Sequence, residues 1–530
     1  MSKTQNISVT GQAAENLNPQ QKISVALGML GLFVLVLAIF NVSFQPKILW
    51  LSVSLAFIFI GIVWYTKASY ANKLAGIKND GIYFSSLTHR GIWAYALGVL
   101  LTGFYIVLYF YPEYLGLVKN DDNTGIIGLF DPFSKLISGN PASQWFVYGT
   151  LYTLAILGFG FKFLWKYRHN QYQRLRTFSV MFFQLGFAFL IPEFMARLNG
   201  EKFSLPYYNL VNIWPLNYYN FEQYRVDDFI SAGTIGITLL IFGVASIFII
   251  TPILTYKYGK RWYCSWVCGC GGLAETAGDS FRHLSDKSTK AWKFERWIIH
   301  LVTVFVVVMT TAVISTYLGY DSEKYWLTKD VFLIGVGAVL SLSFALIFIF
   351  KRKAIQKDAR YAAIGFLVII LALIGLHFSG NTNQLAFVEA ETLRSSYGFL
   401  IGSIFSGVVG TGFYPIFGNR VWCRFGCPMA AILGLQQRLF SKFRITTNGG
   451  QCISCGNCST YCEMGIDVRA YAQKGENIVR SSCVGCGICS AVCPRGVLKL
   501  ENDSPNGRIN SKEILLGNDV DLMDYVNQKN

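Results

Sequence analysis

Cysteine spacing sets the chemistry of this chain. From Cys452 to Pro494 the sequence reads C-x-x-C-x-x-C-x-x-x-C, a spacer, then C-x-x-C-x-x-C-x-x-x-C-P. The first run is Cys452, Cys455, Cys458 and Cys462, and the second is Cys483, Cys486, Cys489 and Cys493. Two-residue gaps let a tight loop turn three thiolates inward while a fourth arrives from farther along, as a cube of iron and sulfide requires. Zinc and disulfides are the alternatives. Zinc sites pair C-x-x-C units or mix Cys with His, and no histidine follows His377.

Over about 45 residues this run resembles the bacterial two-cluster ferredoxins. In those proteins the fourth cysteine of each run serves the other cluster. The resemblance implies that Cys452, Cys455, Cys458 and Cys493 hold one [4Fe-4S] cluster. Cys483, Cys486, Cys489 and Cys462 would hold the other. One residue departs from the pattern: Glu463 follows Cys462 where proline is usual. That proline shapes backbone and is not a ligand. The spacer from Glu463 to Ser482 is long for a compact ferredoxin, which predicts an inserted turn or helix.

Four more cysteines come in two matched pairs. Tyr258-Gly-Lys-Arg-Trp-Tyr-Cys264-Ser-Trp-Val-Cys268-Gly269 aligns without gaps on Phe417-Gly-Asn-Arg-Val-Trp-Cys423-Arg-Phe-Gly-Cys427-Pro428. The offset is 159 residues, an internal duplication that gives two membrane units one design. If the units pack about a pseudo-twofold axis, Cys264, Cys268, Cys423 and Cys427 converge. Four thiolates suit iron, an iron–sulfur centre or another soft metal. The alternatives are inert thiols packing a helix end, or a reversible disulfide. Cys270 has no counterpart in the second copy and reads as a buried free thiol.

The elements that position these residues lie in a membrane. Of 530 residues 53% are hydrophobic and only 14% charged, against about a quarter charged in average soluble proteins. Apolar runs at 23–44, 47–66, 91–111, 145–165, 177–196, 229–256, 297–317, 331–350, 361–377 and 398–417 predict about ten transmembrane helices. The net charge of +16 is explained by where Lys and Arg fall, so no nucleic-acid partner is expected. They crowd the connections after spans two (Lys67, Lys73, Lys78, Arg90), four (Lys166, Arg168, Arg174, Arg176), six (Lys257 to Arg296) and eight (Lys351 to Arg360). By the positive-inside rule those connections, both termini and the ferredoxin segment are cytoplasmic. No cleavable signal peptide is apparent.

The expected organisation is a cytoplasmic tail at 1–21, a membrane region at 22–228, the repeated membrane region at 229–440, the ferredoxin domain at 441–500 and a polar tail at 501–530. The fold class is an all-α polytopic membrane protein, internally repeated, with a C-terminal α+β bacterial-type 2[4Fe-4S] ferredoxin domain. Two outer connections, 112–144 and 197–228, are long. The second holds Tyr207, Tyr208, Trp214, Tyr218, Tyr219, Phe221 and Tyr224, an interfacial anchor or a docking or quinone site. Glu193 is placed for interfacial solvation or for proton release from quinol. His89 with His300 is the one pair of histidines at matching depth for a haem. The acidic patch Asp519, Asp521 and Asp524 is a solvated terminus or a docking patch. No P-loop or dinucleotide fingerprint is present.

Cys264-x-x-x-Cys268, Cys423-x-x-x-Cys427-Pro428 and the ferredoxin run with Met464-Gly465-Ile466-Asp467 after it resemble the membrane-bound polyferredoxins of the NapH/NosR type, and the related accessory proteins of cytochrome oxidase assembly. The likeness covers mainly residues 229–500, with Gly269 in place of the usual proline. It implies a multi-pass protein of the bacterial cytoplasmic membrane that moves electrons between the quinone pool, its clusters and a partner redox protein. A metallocentre assembly factor, such as a copper-ion reductase for an oxidase, and a cluster-bearing regulatory scaffold are the other readings. The flavin-attachment sequence of the nitrous-oxide branch is not visible.

Overall fold

The architecture is that of a computed structural model. It describes residues 17–70, 90–118, 122–199, 205–321, 323–380, 385, 388–502, 515–516 and 520–521. The N-terminal tail to residue 16, Lys73, Lys78, His89, and Asp519 and Asp524 of the C-terminal patch lie outside the described residues. So the haem pairing of His89 with His300 has no structural counterpart to report. His377 stands at the far end of the last span, with Nε2 3.5 Å from Asp330.

Among the described residues nine helices are long and apolar enough to cross a membrane: Pro19–Ile39, Lys47–Tyr70, Ile92–Phe110, Gln144–Lys166, Gln171–Leu198, Gly233–Tyr258, Thr289–Tyr320, Lys329–Ala354 and Ala359–Phe378. At 1.5 Å per residue, twenty residues cover the hydrocarbon core, so the chain is a multi-pass membrane protein. Large apolar side chains such as Ile241, Leu301, Ile349 and Val368 point outward, as lipid in place of water allows. The first helix begins earlier than the apolar run. Asn18 caps it, accepting from the Gln21 backbone N–H at 2.8 Å and closing a capping box with the Gln21 side chain.

The expected tenth run, 398–417, takes a different form. Ala390–Tyr397 is α-helical, Gly398–Gly412 continues it with π geometry, and a short helix Tyr414–Phe417 follows. Glycine, serine and threonine dilute its apolarity, which is why it falls outside the nine.

The connections after the second, fourth, sixth and eighth helices all meet the ferredoxin face. Arg90 donates to the carbonyls of Leu284 and Ile416 at 2.7 Å each. Phe163 and Tyr167 pack with Tyr461 and Ile488. Arg438 donates to the Ala354 carbonyl at 3.1 Å. On this face β1 (Arg444–Thr447) and β2 (Leu498–Glu501) pair antiparallel, Arg444 opposite Glu501, and Ile445 bridges Ile478. The long spacer does contain the expected helix, Val468–Lys474, capped by Asp467.

Neither long outer connection is loose. Gly125–Ile137 buries Ile126, Ile127 and Phe130 against Leu35, Leu51 and Phe146. In the second, the anchor reading needs correction. Tyr208 is buried against Phe229 and Phe242, and Trp214 Nε1 donates to Thr310 Oγ1 at 3.1 Å. The Val211 carbonyl accepts from the Tyr263 hydroxyl at 2.8 Å, next to Cys264. This connection therefore packs among the helices and reaches the cysteine region. Tyr207 and Tyr224 stay exposed.

Candidate iron–sulfur sites

The two halves of the ferredoxin segment are built alike. Cys458 sits in the short helix Asn457–Thr460, and Cys489 in the short helix Ile488–Ala491. Cys462 Sγ accepts from the Ile466 N–H at 3.4 Å, and Cys493 Sγ from the Val497 N–H at 3.3 Å. The fold crosses the runs. Around Cys458 stand Cys493, Cys455 and Cys452, and around Cys489 stand Cys486, Cys483 and Cys462. The first quartet lines a small pocket with Pro494.

The grouping of four sulfurs fits a cluster, while burial keeps the metal-free thiols protonated. Burial, then neighbouring Cys493 and Cys455, push the Cys458 thiol up to about 12. Burial pushes Cys483 up to about 11 against a hydrogen bond from Gly485. Thiols held so high become thiolates when a metal displaces the proton. N–H groups aimed at sulfur then favour that charge. Among the described residues, no three His, Cys, Asp or Glu side chains stand close enough to hold a single metal ion. A four-iron cube is wider than an ion and needs its thiolates farther apart.

The second loop is pinned to the membrane helices carbonyl by carbonyl. Gln437 donates to Cys483 O, Ser265 to Val484 O, Tyr172 to Gly485 O and Gln173 to Cys486 O, each at 2.8 Å. Gly485 has φ +63°, and a Cβ there would stand 2.7 Å from Arg261 Cβ. A side chain at this position would push the loop off the helices. None of these partners was legible in the sequence, since each contact joins residues far apart in the chain.

The matched pairs occupy the same local structure. Helix Thr251–Tyr258 ends on Gly259 at φ +66°, and Tyr414–Phe417 ends on Gly418 at φ +92°. Short turns then carry Cys264 and Cys423. Cys268 caps Gly269–Thr276 and Cys427 caps Pro428–Phe440, where a helix N-terminus favours a thiolate. Gly269 stands where the second copy has Pro428, and a Cβ there would come 2.6 Å from Gln184 Oε1, the end of a flexible side chain. All four cysteines are buried in one core with Met464, Ile466 and Cys483 of the ferredoxin.

The structure brings the four together. Burial, then Cys423, Cys264 and Cys268, raise the Cys427 thiol. Burial pushes Cys264 up to about 12, although Lys260 opposes it. Lys260 is 1% exposed, and no carboxylate pairs with it among the described residues. Its charge acts on Cys264 and on Cys483. An unpaired ammonium inside a protein is costly unless an anion stands by it, and metal-bound thiolates supply one. Cys270 is half-buried rather than buried. It hydrogen-bonds Cys268 and, with Tyr148, Tyr152, Tyr414, Trp422 and Cys423, lines a small pocket.

Glu463, the residue in place of proline, is 0% exposed. Its carboxylate lies 2.6 Å from Arg282 Nη1 and 3.1 Å from Arg420 Nε. Asn419 donates to it as well, at 3.2 Å, and Ser285 donates to the Glu463 backbone carbonyl at 2.7 Å. Arg282 also pairs with Asp279 at 2.7 Å, which pairs with Lys166 at 2.8 Å. Arg420 and Arg176 both pair with Glu275. Arg420 Nη1 donates to Cys423 Sγ at 3.6 Å. Ferredoxin and membrane helices thus share one buried ion network.

This is the construction of an iron–sulfur protein set in a membrane. A family model described as a 4Fe-4S dicluster domain matches residues 451–498, and one described as a 4Fe-4S binding domain matches twice, at 239–288 and 397–446. The putative electron transport protein YccM of Escherichia coli (strain K12) is 25% identical over 210 residues, 39% of this chain and 43% of that protein. The chain thus matches less than half the length of that curated relative. No solved structure matches. Three segments of the chain are thus similar to 4Fe-4S domains, and 39% of it is similar to a putative electron transport protein.

Proposed function

We propose that this chain is a membrane electron carrier that links a lipid-side redox partner to a soluble one. Cys452, Cys455, Cys458 and Cys493 hold one [4Fe-4S] cluster, and Cys483, Cys486, Cys489 and Cys462 the other. Cys264, Cys268, Cys423 and Cys427 hold a third, thiolate-bound iron–sulfur centre. Such a centre takes up and returns one electron without bond making. The observation that carries the reading is the second loop's attachment: four consecutive carbonyls accept from Gln437, on the helix that Cys427 caps, from Ser265 beside Cys264, and from Tyr172 and Gln173 at the start of a membrane helix. The resident residues therefore hold the sites at a fixed spacing. The name of the Escherichia coli relative, a putative electron transport protein, agrees with it.

The ferredoxin face is cytoplasmic in this reading, because the Lys- and Arg-rich connections meet there. A tenth crossing follows. The chain leaves Ala359–Phe378 on the far face and returns to Cys423 through 390–412. The cavity of Tyr148, Tyr152 and Tyr414 beside Cys423 is the candidate quinone site, since a quinone headgroup needs hydroxyl donors in apolar surroundings. The soluble partner docks at the exposed side, near Cys455. Anoxic purification with iron and sulfide counting and a redox titration followed by EPR tests the proposal. Two low-potential centres, plus a signal lost in Cys264→Ser, are expected. Fewer than two centres sinks it.

A further inference from the structure

Glu463 has a cost that a ferredoxin alone does not explain. A carboxylate buried without water needs excellent partners, and a proline at this position would ask for none. Its partners are supplied by the membrane region: Arg282, Arg420 and Asn419. Glu463 is also bonded directly to Cys462, a residue of the second ferredoxin quartet. At the other end, Arg420 reaches Cys423 Sγ at 3.6 Å. The line Cys462, Glu463, Arg420, Cys423 therefore runs from one sulfur to another with two non-bonded contacts, of 3.1 and 3.6 Å.

We propose that Glu463 and Arg420 are the bridge that couples the second ferredoxin site to the four-cysteine site. The inference rests on the proposed assignment of metal centres to both sites. Electrons tunnel farther along bonds and close contacts than across empty space, and the Glu463–Arg420 contact is an ion pair rather than a hydrogen bond. With a centre held by each set of cysteines, one electron would pass from the second quartet's centre, oxidising it, to the four-cysteine centre, reducing it. No bond or proton moves, and the reverse direction uses the same path. Ser265 makes the other close link, from Cys264 to the Val484 carbonyl at 2.8 Å. That link ends on a carbonyl, whereas Arg420 ends on a sulfur. Both bridge residues are positioning groups and neither reacts.

Glu463→Gln keeps the shape and removes the charge. Arg420→Lys keeps the charge and loses the planar fork that touches Glu463 and Cys423 together. Each full-length variant is loaded anoxically, mixed with dithionite and freeze-quenched for EPR. Iron content and the spin–spin interaction between the two centres should match the wild type. Transfer to the four-cysteine centre should slow by about tenfold or more. Transfer within about twofold of wild type in both variants overturns the bridge. Slowing that comes with a lost spin–spin interaction also overturns it, because the residues then act only in docking. A wild type with fewer than two ferredoxin clusters, or no four-cysteine signal, overturns the underlying assignment and the bridge with it.

Discussion

The two cysteine loops of the ferredoxin segment share a sequence pattern and differ in everything around it. Loop 483–487 lies under the membrane helices, with Cys483, Val484, Gly485 and Cys486 each accepting from a side chain there. Loop 452–458 faces away. Cys455 is exposed, Ile453 is 58% exposed, and among the described residues no hydrogen bond joins this loop to the membrane helices. Its neighbours Arg469 and Arg495 are exposed. Two copies of one motif have thus been given opposite duties, one as a contact with the solvent and one as a contact with the interior.

The largest expected difference comes from the ligands. Cys455→Ser and Cys486→Ser should each remove about half of the ferredoxin iron, because binding energy at such sites is folding energy. Only Cys486→Ser should also lower the thermal transition of the membrane region, since its loop shares contacts with those helices. Equal destabilisation by both would erase the contrast. Next comes the clamp. Tyr172→Phe with Gln173→Ala leaves two buried carbonyls without donors, at about 2–4 kcal/mol together. Hydrogen exchange should rise at 483–487 and stay unchanged at 452–458.

A smaller effect is set by pH. Burial would raise the Asp279 carboxyl, but Lys166 and Arg282 outweigh it and hold it well below the ordinary carboxylate range. A carboxylate so depressed adds stability that is fully present above its unfolded value, about 3.9, and is lost as pH falls below it towards the folded value. Protection of the second loop should therefore persist at pH 5 and fade in stronger acid, while Asp279→Asn should flatten that dependence. The smallest effect belongs to the outer loop. Arg469→Ala with Arg495→Ala should change stability by no more than about 0.5 kcal/mol. It should still slow reduction by an anionic dye and weaken its salt dependence.

Much of this was readable in the cysteines. Their resemblance to two-cluster ferredoxins implied crossed quartets, the aligned pairs pointed to four converging thiols, and the runs of Lys and Arg to one face that gathers alternate connections. The helix in the spacer followed from its length. What stayed hidden depends on distant partners. Glu463 was visible as an oddity, yet its reason is Arg282 and Arg420, residues that only folding brings near. The clamp uses Tyr172, Gln173, Ser265 and Gln437, ordinary residues with no motif. Residues 205–217 read as an aromatic outer loop, because nothing in their composition shows that Val211 meets Tyr263. Apolar periodicity marked 398–417 as a span but carries no sign of π geometry.

The asymmetry of the two loops is tested most directly by relaxation enhancement. The reduced protein is measured by EPR with and without a soluble dysprosium complex that does not enter membranes. The signal assigned to the first site, by its loss in Cys455→Ser, should relax much faster with the complex present. The signal lost in Cys486→Ser should hardly change. Equal enhancement of the two signals would contradict a buried second site and, with it, the order of the relay.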